Sequence, residues 1–156
     1  MEGSSLIYPA FALILVILSL ILVPRERYRI VFPVIILGVF IHTALLYISI
    51  NLLGAFRFVA DEPFTIAGIP IFILISWVPT FALFLWGLPE KLPLWAHHLY
   101  IAAFAMIGVF IDMTFQALEL QPTAAWYRSW MWFFPVYFLY WATYILYQKR
   151  KNLEVL

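Results

Sequence analysis

Leu13-Ile14-Leu15-Val16-Ile17-Leu18-Ser19-Leu20-Ile21-Leu22-Val23, closed by Pro24 and the basic run Arg25-Glu26-Arg27-Tyr28-Arg29, is the stretch that decides how this chain folds. An uncharged apolar run, a short arginine-rich break and then a second apolar run starting at Ile30 is the alternation of a chain that crosses a bilayer more than once. The pattern recurs on going outward. A crossing helix needs roughly 20 mostly apolar residues to span a hydrocarbon core about 30 Å thick. Five segments of the 156-residue chain meet that requirement, at 6–23, 30–53, 66–86, 94–120 and 129–147. With 66% of residues apolar and 11% charged, a water-soluble fold would leave most apolar side chains with no interior to enter. Lipid offers backbone groups no partner, and the runs are too long and continuous for barrel strands, so the spans are read as helices. The expected architecture is all-α: one polytopic membrane bundle of five transmembrane helices covering 1–156, placed multi-pass in the cell membrane. The first segment lacks a basic leader and a small-residue cleavage signal, so it is read as a span and not as a signal peptide.

Orientation follows from the basic residues. With five spans, the breaks after spans one and three share a side with the C-terminal tail. That side holds Arg25, Arg27, Arg29, Lys91, Lys149, Arg150 and Lys151, and the other only Arg57 and Arg128. Excess Lys and Arg in short loops marks the cytoplasmic face, so the N-terminus is expected outside and the C-terminus inside. Trp86, Trp95, Trp126, Tyr127, Trp130 and Tyr147 fall near span ends, where aromatic rings prefer the interface. Pro33, Pro70, Pro79 and Pro135 fall within or at the edge of spans, and each removes one backbone donor.

The polar residues inside the spans carry the functional question. Asp112, Gln116 and Glu119 of span four recur at helical spacing and share one face, which continues through Gly108 and Ala105 to His98. At a rise of about 1.5 Å per residue, Asp112 sits roughly 12 Å below the outer end of that span. A carboxylate at that depth either pairs or keeps its proton. His42, Asn51, Arg57, Asp61, Glu62 and Arg128 are the partners that depth allows. Intramembrane ionisable residues point to a site by default, and polar side chains also tie helices together, so a pocket and a set of structural bonds both stay open here. In the pocket reading Asp112, Glu119 and His42 carry the chemistry, and Gln116, Asn51, Arg57, Trp77 and Phe115 contact the ligand.

Other chemistries lack their residues. There is no cysteine, which removes disulfide, thiolate and iron–sulfur chemistry. No H-E-x-x-H, P-loop or G-x-G-x-x-G pattern is present. His97 and His98 lie near the inner end of span four while His42 is mid-span, a mismatch of roughly 10 Å that suits no bis-histidine haem. No metal and no cofactor is expected, nor is nucleic acid as a partner.

Two local resemblances add to this reading. Residues 95–147, through Phe110-Ile111-Asp112, Glu119-Leu120, Trp126, Trp130 and Tyr140, resemble a group of small multi-span membrane proteins of Bacillus-like bacteria, over about a third of the chain. That resemblance implies a membrane protein and no particular activity. Residues 54–85, through Phe56-Arg57-Phe58, Asp61, Gly68-Ile69-Pro70 and Trp77, are similar to the membrane carotenoid cyclases and hydratases, which place a Gly-x-Pro at the start of a span. The acidic pair that follows the proline in the cyclases is replaced here by Ile71-Phe72-Ile73.

The expected function is therefore handling of an apolar or lipid-like ligand, such as a carotenoid or isoprenoid, or service as a subunit of a membrane complex. Membrane lipids are the expected surroundings, with a homo-oligomer or larger assembly as the partner state. The alternatives are acid-initiated isoprenoid or carotenoid modification, with Asp112 as proton donor and aromatic rings such as Trp77 and Phe115 steadying positive charge, and proton-linked transport.

Overall fold

The computed structural model describes residues 6–59, 64–88 and 93–154; Asp61, Glu62 and Lys91 lie outside them. The described chain is mostly helical. Its helices are α1 (Ile7–Leu22), α2 (Arg25–Tyr47), α3 (Ile71–Trp86), α4 (Leu94–Ala117) and α5 (Phe133–Glu154). The last turn of α2 widens into a π-helix, Ile48–Leu52, and a 3-10 turn, Ser129–Trp132, leads into α5. Two stretches, Val31–Leu52 and Leu94–Ala117, are long and apolar enough to cross a membrane. Ile7–Leu22 and Ile71–Trp86 are apolar but shorter.

Several boundaries differ from the sequence expectation, each for a local reason. Residues 66–70 are not helical. Thr65–Ile66 (β1) and Ile69–Pro70 (β2) pair as a hairpin whose two turn residues, Ala67 and Gly68, both have positive φ (52° and 78°). That is the turn whose twist matches paired strands. Pro70, which has no N–H to give to a helix, then caps α3. The arginine break is no loop, because α2 begins at Arg25 directly after Pro24. Helix α4 stops at Ala117, and Leu118, Glu119 and Leu120 form its terminator. The Glu119 N–H reaches the Gln116 carbonyl at 2.9 Å, the Leu120 N–H reaches that of Phe115 at 2.9 Å, and Glu119 has φ 57°. This is the Schellman arrangement, with a glutamate in the left-handed position that glycine usually takes. Glu119 therefore leaves the helix and does not share a face with Asp112.

Successive helices run in opposite directions. The Tyr8 hydroxyl at the start of α1 donates to the Leu120 carbonyl beyond α4 (2.8 Å), and the Asn51 amide after α2 donates to the Ala67 carbonyl before α3 (3.1 Å). At the opposite end, the Tyr100 hydroxyl of α4 donates to the Phe84 carbonyl near the end of α3 (2.8 Å). Helix α1 packs on α3, α3 on α2, α2 on α5, and α5 on α4. The row closes on itself through rings: Phe11 of α1 meets Phe115 of α4, and Phe84 of α3 meets Tyr100 and Phe104. Helix α2 packs closely on α3 at Gly38, where a Cβ would lie 3.1 Å from the fully buried Phe81 ring. On the small face of α4, Ala105 is fully buried and Gly108 is half-buried, against Val136 of α5.

Candidate functional site: an interior cavity and its polar wall

The closing of the helical row leaves a cavity of about 430 Å³ between α1 and α3 on one side and α4 on the other. That volume is in the usual range for small-molecule sites, roughly 300–1,000 Å³. It runs along the bundle from Trp86, Gly87 and Tyr100 at one end to Phe56, Phe58 and Gln121 at the other. Leu22 of α1 and Ile107 of α4 both line it and are both exposed. On α4, Phe104, Ile107 and Ile111 line the cavity, while Phe110 is exposed on the outer surface.

A two-strand cap closes the end near Asp112. Residues 55–59 run extended against 120–124: the Arg57 N–H bonds the Pro122 carbonyl (3.0 Å), the Val59 N–H that of Leu120 (2.8 Å), and the Ala124 N–H that of Ala55 (2.9 Å). Alternation along the extended segment turns Phe56 and Phe58 inward and leaves Arg57 exposed. Phe56 packs on Tyr127 and Trp132, and Phe58 on Tyr8.

Asp112 is buried on the wall, and its partners differ from those expected. Gln121 donates to Oδ1 at 2.6 Å and Gln116 to Oδ2 at 2.6 Å. The Tyr127 hydroxyl lies 3.3 Å from both oxygens, and Gln116 also donates to Ser129 Oγ at 2.7 Å. Neither His42 nor Arg57 is among these partners. The carboxyl of Asp112 is thus an acceptor for two amides and a phenol, and it ties α4 to the 121–129 connection. Burial, and then the charge and hydrogen bond of Asp112, push the Tyr127 phenol above its ordinary range, so it stays a donor. Tyr127 is 5% exposed and Tyr147 4%, so these two are interior residues, while Trp95, Trp126 and Trp130 are exposed as interface rings would be.

His42 has the opposite surroundings. It is fully buried, lines the cavity, and has hydrogen-bond partners for neither ring nitrogen among the described residues. Trp77 lies against its ring with centroids 3.6 Å apart, and Trp132 meets it edge-on at 5.8 Å. The other histidines are elsewhere: His97 stacks on Tyr144, and His98 bonds the Tyr137 hydroxyl at 2.6 Å.

The cavity therefore gathers His42, Trp77, Asp112 and Phe115. It does not gather the other expected contacts. Gln116 supports Asp112 from the side, Asn51 is exposed and holds the hairpin, and Arg57 and Glu119 are exposed. Sequence reasoning missed Gln121, Tyr127 and the Phe56–Phe58 cap. Gln121 carried a signal, being a polar residue directly after the fourth span; Tyr127 did not, because its position near a span end has a sufficient explanation as an interface ring. Comparison with family models, with curated proteins and with solved structures finds no match for this chain, so the chemistry of the site has to be argued from its own residues.

Proposed function

We propose that this chain is a five-helix integral membrane protein that binds an apolar ligand inside its bundle, taken up sideways from the bilayer between α1 and α4. The observation that carries this reading is the cavity itself: apolar almost throughout, about 430 Å³, with the exposed Leu22 of α1 and Ile107 of α4 on its wall. The outer surface of the bundle carries side chains that suit lipid and not water. Leu13, Ile14, Ile17 and Ile21 on α1, Phe32 and Phe40 on α2, Phe110 on α4 and Phe138 on α5 are all exposed. An apolar surface of that extent marks contact with lipid or with other protein. Helices α1 and α3, at 16 residues each, are about 24 Å long and cross with the help of flanking residues and local thinning.

The orientation proposed is N-terminus outside, C-terminus inside. Arg25, Arg27, Arg29, Lys149, Arg150 and Lys151 gather at one end, and Arg57 and Arg128 at the other. Three arginines at the start of α2 oppose its dipole. Anchoring at a cytoplasmic interface gives them a reason to be there. In this orientation the Asp112 cluster lies toward the outer face.

Mass spectrometry of the gently purified protein tests the binding reading: an apolar molecule at near-equal ratio is expected, and Ile107→Trp, which narrows the opening, should lower that ratio severalfold. Protein that carries no such molecule and takes none from bilayers would sink the idea. For topology, the cysteine-free chain allows single-cysteine labelling: Arg57→Cys should react with an impermeant maleimide on intact cells, and Lys149→Cys only after lysis.

An acid-initiated reaction is the second reading, favoured by Asp112 lining the same cavity as Trp77 and His42. It is the weaker one on geometry, because both Asp112 oxygens already accept hydrogen bonds from protein donors.

A further inference from the structure

We infer that His42 is the hydrogen-bond partner of a single neutral oxygen, a hydroxyl or carbonyl, carried by an otherwise apolar ligand; the inference rests on the cavity being a ligand site. Among the ionisable and hydroxyl side chains on the wall, Asp112, Ser76, Thr80 and Tyr100 already have protein partners, and His42 has none among the described residues. Both Asp112 oxygens are taken by Gln121, Gln116 and Tyr127. Ser76, Thr80 and Tyr100 give their hydroxyl protons to the main-chain oxygens of Ile73, Ser76 and Phe84. His42 alone in this set offers two ring nitrogens with no protein partner among the described residues. Buried polar groups left unsatisfied are costly and uncommon in native proteins, and each needs an explanation. At 0% exposure the imidazole is out of reach of bulk water, so its partner has to sit inside the bundle.

The wall also fixes the charge of that partner. Among the described residues no lysine or arginine lines the cavity, and the one charged type present is Asp112, which already accepts from three protein groups. A carboxylate or phosphate would enter with nothing to pair it, at high desolvation cost. A neutral imidazole presents one N–H donor and one acceptor, which a hydroxyl can meet at either nitrogen and a carbonyl at the N–H. Trp77 and Trp132 clamp the ring, so its nitrogens are held in place before the ligand arrives. The ligand class is a neutral long-chain molecule with one mid-chain or terminal oxygen.

Three probes of equal chain length separate the outcomes: hexadecanol, hexadecane and hexadecanoate, titrated into the detergent-solubilised protein with tryptophan fluorescence as the readout. Wild type should bind hexadecanol about tenfold more tightly than hexadecane, and hexadecanoate most weakly. His42→Phe should lose the preference for the alcohol over the alkane. Ring-nitrogen NMR shifts of histidine-labelled wild type should move at His42 on addition of hexadecanol, a readout independent of whether the variant folds. Equal binding of alcohol and alkane by wild type, or a preference for the acid, would overturn the role of His42 while leaving the cavity a ligand site. Binding of none of the three overturns the cavity reading and this inference with it.

Discussion

Asp112 and His42 are buried ionisable side chains on the wall of one cavity, and they are treated in opposite ways. Two amides and a phenol converge on Asp112, all from α4 or the connection that follows it. Around His42 there are indole rings and no partner for either nitrogen among the described residues. A buried polar group whose bonds are complete holds structure in place; one whose bonds are not complete has capacity left for something else. The contrast therefore assigns the fold's clamp to Asp112 and recognition to His42. Depth and charge alone had pointed more strongly at the carboxylate.

The sharpest way to break this contrast is to truncate both residues. Asp112→Ala leaves the Gln116 and Gln121 amides and the Tyr127 hydroxyl without their acceptor, and should lower stability by about 3 kcal/mol. His42→Phe removes a polar group that makes no protein hydrogen bond and keeps a flat ring between Trp77 and Trp132, so stability should stay within about 0.5 kcal/mol of wild type. Unfolding midpoints in the same detergent decide it. Comparable losses in the two variants would mean that His42 is bonded inside the protein and that the contrast is false.

How much of this was readable beforehand follows the range of the interactions. The helices were legible because apolar runs broken by Pro24 or by charge are local facts, and so was the face that Ala105, Gly108 and Asp112 share, which follows from helical spacing. The ends were not. Whether residues 66–70 continue a helix or make a hairpin depends on Ala67 and Gly68 adopting positive φ and on Asn51 reaching the Ala67 carbonyl, 16 positions away. The site was half legible for the same reason. Asp112, His42, Trp77 and Phe115 stand out in any apolar run. Gln121 and Tyr127 acquire their role only when the 121–129 connection folds back over α4, and Glu119 loses its expected role because the helix ends two residues before it.

The next prediction tests whether the His42 side of the contrast depends on close packing between α2 and α3. Gly38 lies one turn before His42 on α2 and lets Phe81 of α3 approach. Phe81 is fully buried and has no room to retreat. Gly38→Leu should therefore cost about 2 kcal/mol by overpacking, in the usual range for large side chains forced into a filled core. It should also separate His42 from Trp77, and so change tryptophan emission where Asp112→Ala does not. A stability loss without any change in emission would show that the His42–Trp77 pair is held by other contacts.

The smallest expected effect concerns the one acidic residue that sequence spacing placed beside Asp112. Glu119 is exposed and occupies a left-handed conformation at φ 57° in the α4 terminator. A non-glycine residue pays about 1–2 kcal/mol for that conformation, and glycine gives back about 0.5–1 kcal/mol in chain entropy. Glu119→Gly should thus raise stability by about 0.5 kcal/mol and leave ligand occupancy unchanged, because neither the Schellman bonds nor any cavity contact uses the side chain. The sign separates two roles. A glutamate that served the Asp112 cluster would cost stability or occupancy on removal; one that merely fills a glycine position would not.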